Sequence, residues 1–330
     1  MLYIEYLFQT IYDLDFQSWI RGLNGLEEWE KNLEFGEASL NTSAKSELAR
    51  ARFILGLISL HNFWYELAIE QFEKAQELEK SENGRDFPMA MWGAAMSTTW
   101  ILWQHSDCKK GEKYLKSIPN NRPWLTDFEE AMVQTGYELY PPGMTDCTKE
   151  DTQTDREIRL MEAMQKVVNK FPEEVEPKLF FGAAKLATLA HDNCRGPDGR
   201  LTSKCMKEQS KARRVFADLY QDNPKHTGLI HYIIHAYDEP SVYEEANRKF
   251  VQEMKNPMHQ EDHAAALGIK ASNDYMELAK SSCHGLHMPS HIYIRLGAWN
   301  MSLNSNLLSI KVHNLNGKAF ESIAGFTIFS

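Results

Sequence analysis

The chain has 330 residues, 43% of them apolar, with a formal net charge of −10 and a pI near 5.7. That acidic balance excludes nucleic acid as a partner, because phosphate binding needs a basic face. No run of 18 or more apolar residues occurs, so no membrane-spanning helix is expected, and the apolar content suffices for two compact domains or one elongated array.

The chain opens with MLYIEYLFQTIYDLDFQSWI, where Tyr3, Leu7, Ile11, Phe16 and Ile20 recur at helical spacing. It carries acids and no basic leading run, which makes it a poor signal peptide; residues 1–43 read as capping helices and the compartment as cytoplasmic. Sheet is not expected, since the chain has eight valines and no alternating β-branched run. Apolar residues recur with helical period in 44–60, 64–78, 88–103, 125–139, 157–171, 174–190, 208–220, 228–237, 264–279 and 290–311. Polar or Gly/Pro junctions such as PNNRP (119–123), YPPG (140–143) and QDNP (221–224) separate most of these segments. The fold class is therefore all-α, a bundle or a solenoid of consecutive helices.

Self-similarity favours the solenoid. The segment LGLISLHNFWYELAIEQFEKA (55–75) resembles a tetratricopeptide repeat, with Gly56, Ala68, Phe72 and Ala75 where that repeat places small and aromatic residues. Ala212, Phe216 and Pro224 form a second match, and Gly297 and Trp299 resemble a turn between paired helices. On this reading residues 44–312 form a curved array of antiparallel helix pairs with a concave groove. Insertions near 191–206 and 239–262 interrupt it, and 313–330 forms a tail.

Four longer strings, HNFWYELAIEQFEKA, FPMAMWGAAMS, HYIIHAYDEP and HGLHMPSHIYIRLGAW, resemble a family of tetratricopeptide-repeat proteins of bacteria and invertebrates. Its members show similar HSFWYEEA, AYWGIAM, HYLIHSYDDP and HALHMPSHIF strings in this order. The resemblance covers roughly residues 45–310 and implies the repeat fold and a shared histidine pattern. This chain departs from it in the 239–262 insertion and in the loop between Cys194 and Cys205. Its tail GKAFESIAGFTIFS reads as a shortened or altered terminus.

The histidines point to a site. Seven fall between His231 and His291, four of them as i,i+4 pairs in HYIIHAYD (231–238) and HMPSH (287–291). Residues four apart share one helix face. The repeat register puts His231, His235 and Asp238 on the groove, together with His61, His284, His287 and His291. The candidate metal ligands are His231, His235, His287 and His291, with zinc, copper, nickel or iron as the ion. His61, Tyr237, Asp238, His284 and Arg295 are the candidate ligand contacts, Asp238 also as an orienting group. Pro289 argues against the second pair, because a helix starting there would leave His287 on the preceding loop.

The remaining signals are weaker. Cys194 and Cys205 flank a Gly-Pro-Asp-Gly turn and are a candidate disulfide, as are Cys108 and Cys147, which leaves Cys283 over. With the sequons at Asn41 and Asn300, that pairing makes a secreted protein the alternative to a cytoplasmic one. Phe63, Trp64, Tyr65, Trp92, Trp100 and Trp103 read as packing between repeats, and Glu129–Glu130 and Glu173–Glu174 as solvated helix faces. HxxxH lacks the glutamate of the zincin motif, and neither a phosphate loop nor a nucleophile elbow is present.

Three readings follow. The first is a repeat protein whose groove takes a peptide or small molecule. The second is a metal-dependent enzyme or carrier, and the third a scaffold whose histidines only join helices.

Overall fold

The computed structural model describes residues 16–103, 105–143, 147, 152–189, 194–197, 200–239 and 263–316. Residues 1–15, the insertion beyond 239, parts of the 191–206 loop and the tail from 317 lie outside the described residues.

The described chain is mostly helical. Two short helices, α1 (Phe16–Gly22) and α2 (Glu28–Lys31), precede α3 (Glu47–His61), α4 (Tyr65–Asn83) and α5 (Pro88–Met96). A two-stranded antiparallel hairpin follows, β1 (Thr99–Trp100) on β2 (His105–Ser106), with Thr99 opposite Ser106. Then come α6 (Cys108–Lys116), α7 (Asp127–Leu139), α8 (Gln153–Lys170), α9 (Val175–Leu189) and α10 (Ser203–Asp222). The last set is α11 (Thr227–Tyr237), α12 (His263–Leu278), α13 (Cys283–His287), α14 (Pro289–Arg295) and α15 (Trp299–Asn316).

Local sequence sets many of the ends. Ser46, Thr126, Thr152, Thr202 and Ser282 cap their helices through side-chain oxygens, each satisfying an orphan N–H of the first turn. Thr126 with Glu129 closes a full capping box. Glu129 is buried rather than solvated, because it also accepts from the Ser43 N–H and hydroxyl.

Two expected helices are divided. Apolar spacing runs through 88–103, yet the helix stops at Met96, where Ser97 and Thr98 bond back to the carbonyls of Gly93 and Ala95. Such back-bonding competes with the helix, and the Thr-Thr-Trp that follows suits a strand. The 290–311 segment breaks at Gly297, whose φ of 69° is left-handed. The sequence pattern also missed α6, whose CKKGEKYLK has few apolar residues. Gly111 is required there because a Cβ would stand 2.4 Å from the Tyr140 ring.

Many helices pack on their neighbours in sequence, as α3 does on α4 and α8 on α9, whereas α13 packs chiefly on α15, and α7 meets α5 more than α6. The central helix is α11, which touches α3, α9, α10, α12 and α14. Close approach depends on glycines facing aromatics. A Cβ at Gly56 of α3 would come within 2.8 Å of Phe72, and one at Gly93 of α5 within 2.6 Å of the same ring. Phe72 is thus clasped from both sides and fully buried. Gly93→Ala should cost about 1–3 kcal/mol through overpacking, read as a lower urea midpoint. An unchanged midpoint would contradict this packing.

Cys108 pairs with Cys147 and Cys194 with Cys205, at Cα separations of 5.4 and 5.5 Å, leaving Cys283 free. No described helix is long and apolar enough to cross a membrane.

Candidate metal centre

Thr227 to Ile234 of α11 are buried on every face, as suits a helix enclosed by others. Its N-cap is His226, whose Nδ1 accepts from the Leu229 N–H. His231 is fully buried one turn on, and His235 is half-buried a turn beyond. His231 Nδ1 donates to the His61 carbonyl oxygen at 2.6 Å. That contact fixes the tautomer and leaves Nε2 as a lone pair.

Two further nitrogens aim at this lone pair. His235 Nε2 and His284 Nε2 each lie 3.1 Å from His231 Nε2, and the ligand nitrogens of the three residues fall within 4.8 Å of one another. One in-plane lone pair accepts one hydrogen, so at most one of these contacts is a hydrogen bond. Desolvation lowers His231 to about 3 and takes His235 and His284 well below the usual imidazole value. The trio is neutral at pH 7.

A second pair adjoins it. His287 ends α13 and Pro289 starts α14, yet Met288 between them is itself helical, at φ −51° and ψ −40°. The helical path therefore continues, and the His291 N–H bonds to the Met288 carbonyl. The i,i+4 geometry survives the proline, with His287 Nε2 and His291 Nε2 3.1 Å apart. His287 Nδ1 bonds Asn306 Oδ1 at 2.7 Å, and His291 Nδ1 bonds Asp238 Oδ2 at 2.8 Å. Arg295 Nε donates to the other Asp238 oxygen at 2.8 Å. Burial opposes ionisation of Asp238, but its bonds and charge partners hold its carboxyl below the ordinary value.

The four histidines expected as one ligand set are therefore divided. His231 and His235 join His284, while His287 stands with His291; the His284 and His287 ring centroids are 6.2 Å apart. The cause is helical rise, since three residues advance the chain by about 4.5 Å along its axis. The cross-contacts share one offset: His231 meets His284 and Asp238 meets His291, both 53 residues apart. The two segments thus run side by side in the same direction.

Other expected contacts fall elsewhere. The His61 side chain turns away from the histidines into a buried trio, Nε2 to Glu176 Oε2 at 2.8 Å and Nδ1 to the Tyr232 hydroxyl at 3.0 Å. His226 Nε2 reaches Glu176 Oε1 at 2.9 Å. Burial works against the Glu176 charge, yet the two imidazoles outweigh it and hold the carboxyl at about 2, while burial lowers His61. His61 serves the centre through its backbone carbonyl. Tyr237 is buried beneath the Arg213 guanidinium, 5.2 Å from its ring centroid. Arg295 reaches the centre only through Asp238. His259 lies outside the described residues.

Sequence reasoning missed the aromatic wall. The Phe63 ring stands 4.3 Å from the His231 ring and packs on His235, His284 and Trp103. Trp103, 40% exposed, is edge-on to His235 and His284. Phe63 has a φ of 56°, left-handed for a bulky residue, a strain of about 1–3 kcal/mol. The α3 end imposes it: Phe63 N bonds Leu60 O and Trp64 N bonds Ser59 O, the two bonds of a Schellman end, where glycine is usual. Asn62 anchors this corner through Thr227 and Tyr275. Glu176 and His226 were also missed, and neither carries a spacing signal. No protein-family model matches this chain, and no curated protein is detectably similar to it.

Proposed function

We propose that this protein is a tetratricopeptide-like helical array that holds a transition-metal ion on His231, His235 and His284. The observation that carries the reading is the approach of two Nε2 atoms to the single His231 lone pair at 3.1 Å. Nitrogens about 2.0–2.1 Å from one ion and this far apart subtend roughly 100° at it, between square and tetrahedral values. An all-imidazole set suits zinc, copper, nickel or ferrous iron rather than magnesium or calcium.

Several features support the array. Glycines of neighbouring helices clasp Phe72, and Gly182 meets Phe216 in the same way. The offset of 53 residues between parallel segments fits one 34-residue repeat plus an insertion of about 19. Three ligands leave coordination positions open beside Trp103, which suits activation of a bound water or substrate. The two disulfides and the exposed sequon residues Asn41 and Asn300 favour an oxidising compartment. A second reading, a small organic ligand bound without metal, draws on the half-exposed Trp103 beside the histidines.

The test is metal analysis after reconstitution with zinc, copper, nickel and ferrous iron in turn. At least one ion per chain should survive dialysis in the wild type, and His235→Ala should lose the ion assigned to the trio. A protein that stays metal-free with all four would overturn the reading. Ligand binding that persists after chelation would favour the second one.

A further inference from the structure

We infer that the centre takes two metal ions, the second on His287 and His291; this rests on reading the His231 trio as a metal site. The argument is one of tautomers. Asn306 Nδ2 donates to the Ser302 carbonyl at 2.9 Å, so its Oδ1 is the face turned to His287. A carbonyl oxygen only accepts, so the proton of neutral His287 is on Nδ1. Asp238 pairs through Oδ1 with the Arg295 guanidinium at 2.8 Å and turns Oδ2 to His291, so it faces that ring as a carboxylate acceptor and the His291 proton is likewise on Nδ1.

Both Nε2 atoms therefore carry lone pairs, and these face each other at 3.1 Å. Two lone pairs at that distance repel unless a cation joins them, either a metal ion or an extra proton. The surroundings match a ligand pair whose far nitrogens are tied by oxygen acceptors, which fixes ring orientation and raises ligand basicity. A carboxylate behind one ring and a carboxamide behind the other is that arrangement. The pair is half-buried and opens to solvent at His291, so water or substrate completes the coordination. His284 and His287 stand on adjacent helical turns with ring centroids 6.2 Å apart, so the two ions are close enough to act on one bound molecule.

Stoichiometry tests this. Wild-type protein is titrated with zinc alone, dialysed and assayed for zinc per chain, beside His287→Gln, His291→Gln and Asp238→Asn. His287→Gln keeps the volume of a half-buried ring, and thermal melts check that each variant folds. The expected result is two zinc ions in the wild type and one in each glutamine variant. Asp238→Asn should weaken the second ion about 10- to 100-fold, as loss of an orienting partner does. One ion in the wild type, retained by His287→Gln, would overturn the second position and leave the trio standing; the pair would then share a proton. Two ions retained in both glutamine variants would place the second ion elsewhere and also overturn it. No ion at all would overturn both readings.

Discussion

Replacing His231 by phenylalanine should abolish tight metal binding at the trio while leaving the fold intact. His231 is the common member of both 3.1 Å contacts, so its loss removes a ligand and the element that aligns the other two. An apparent zinc-site free energy of about 10–16 kcal/mol, spread over four ligands, is roughly 2.5–4 kcal/mol per ligand, or on the order of 100- to 1,000-fold in affinity. Phenylalanine fills the buried space among Phe63, Tyr232 and Tyr275 and adds no unpaired donor, at a cost of about 1–3 kcal/mol for the His61 carbonyl that loses its His231 partner. His105→Ala, in the hairpin against Trp100, is the control and should change nothing. Competition titration against a chromophoric chelator measures both. An affinity for the trio's ion within threefold of wild type in His231→Phe would exclude that residue as a ligand.

The second large effect concerns stability. Glu176 is wholly buried and joins His61 to His226. Glu176→Leu would strand two buried ring N–H groups, at a cost of about 3–5 kcal/mol. The wild-type pH dependence follows from the direction of its shift. The folded carboxyl lies near 2, below the ordinary 4.5, so its contribution is complete above about 4.5 and fades as the pH falls towards 2. The difference corresponds to roughly 3 kcal/mol. His61, also lowered, has the same sign, since the unfolded imidazole takes up a proton first, from about pH 6.5 downward. Urea unfolding of metal-free protein at pH 7 and pH 3 should show the variant losing less stability with acid than the wild type. Equal losses, or a cost under 1 kcal/mol at pH 7, would remove Glu176 from this role.

Much of the helical frame was legible because its segments repeat apolar residues at 3.6-residue spacing and end at capping or turn residues. The limits fall where that rule is ambiguous. Trp100, Ile101 and Trp103 fit a helix or a strand equally well, and Thr98 and Thr99 tip the balance to the hairpin. The i,i+4 pairs were legible as pairs because their geometry is local. Their grouping was not, because His284 joins His231 through the packing of α11 against a segment 53 residues on. Pro289 looked disruptive, yet a helical Met288 carries the chain past it. The Glu176 trio left no mark in the sequence, since a glutamate in the first turn of a helix commonly has no role beyond favouring that end.

The most direct measurement is an anomalous-difference map from crystals of the zinc-loaded protein, collected on both sides of the zinc edge. A zinc peak about 2.0–2.1 Å from the Nε2 atoms of His231, His235 and His284 is the predicted result. Zinc bound only at other residues, or no peak beside these three nitrogens, would contradict the account.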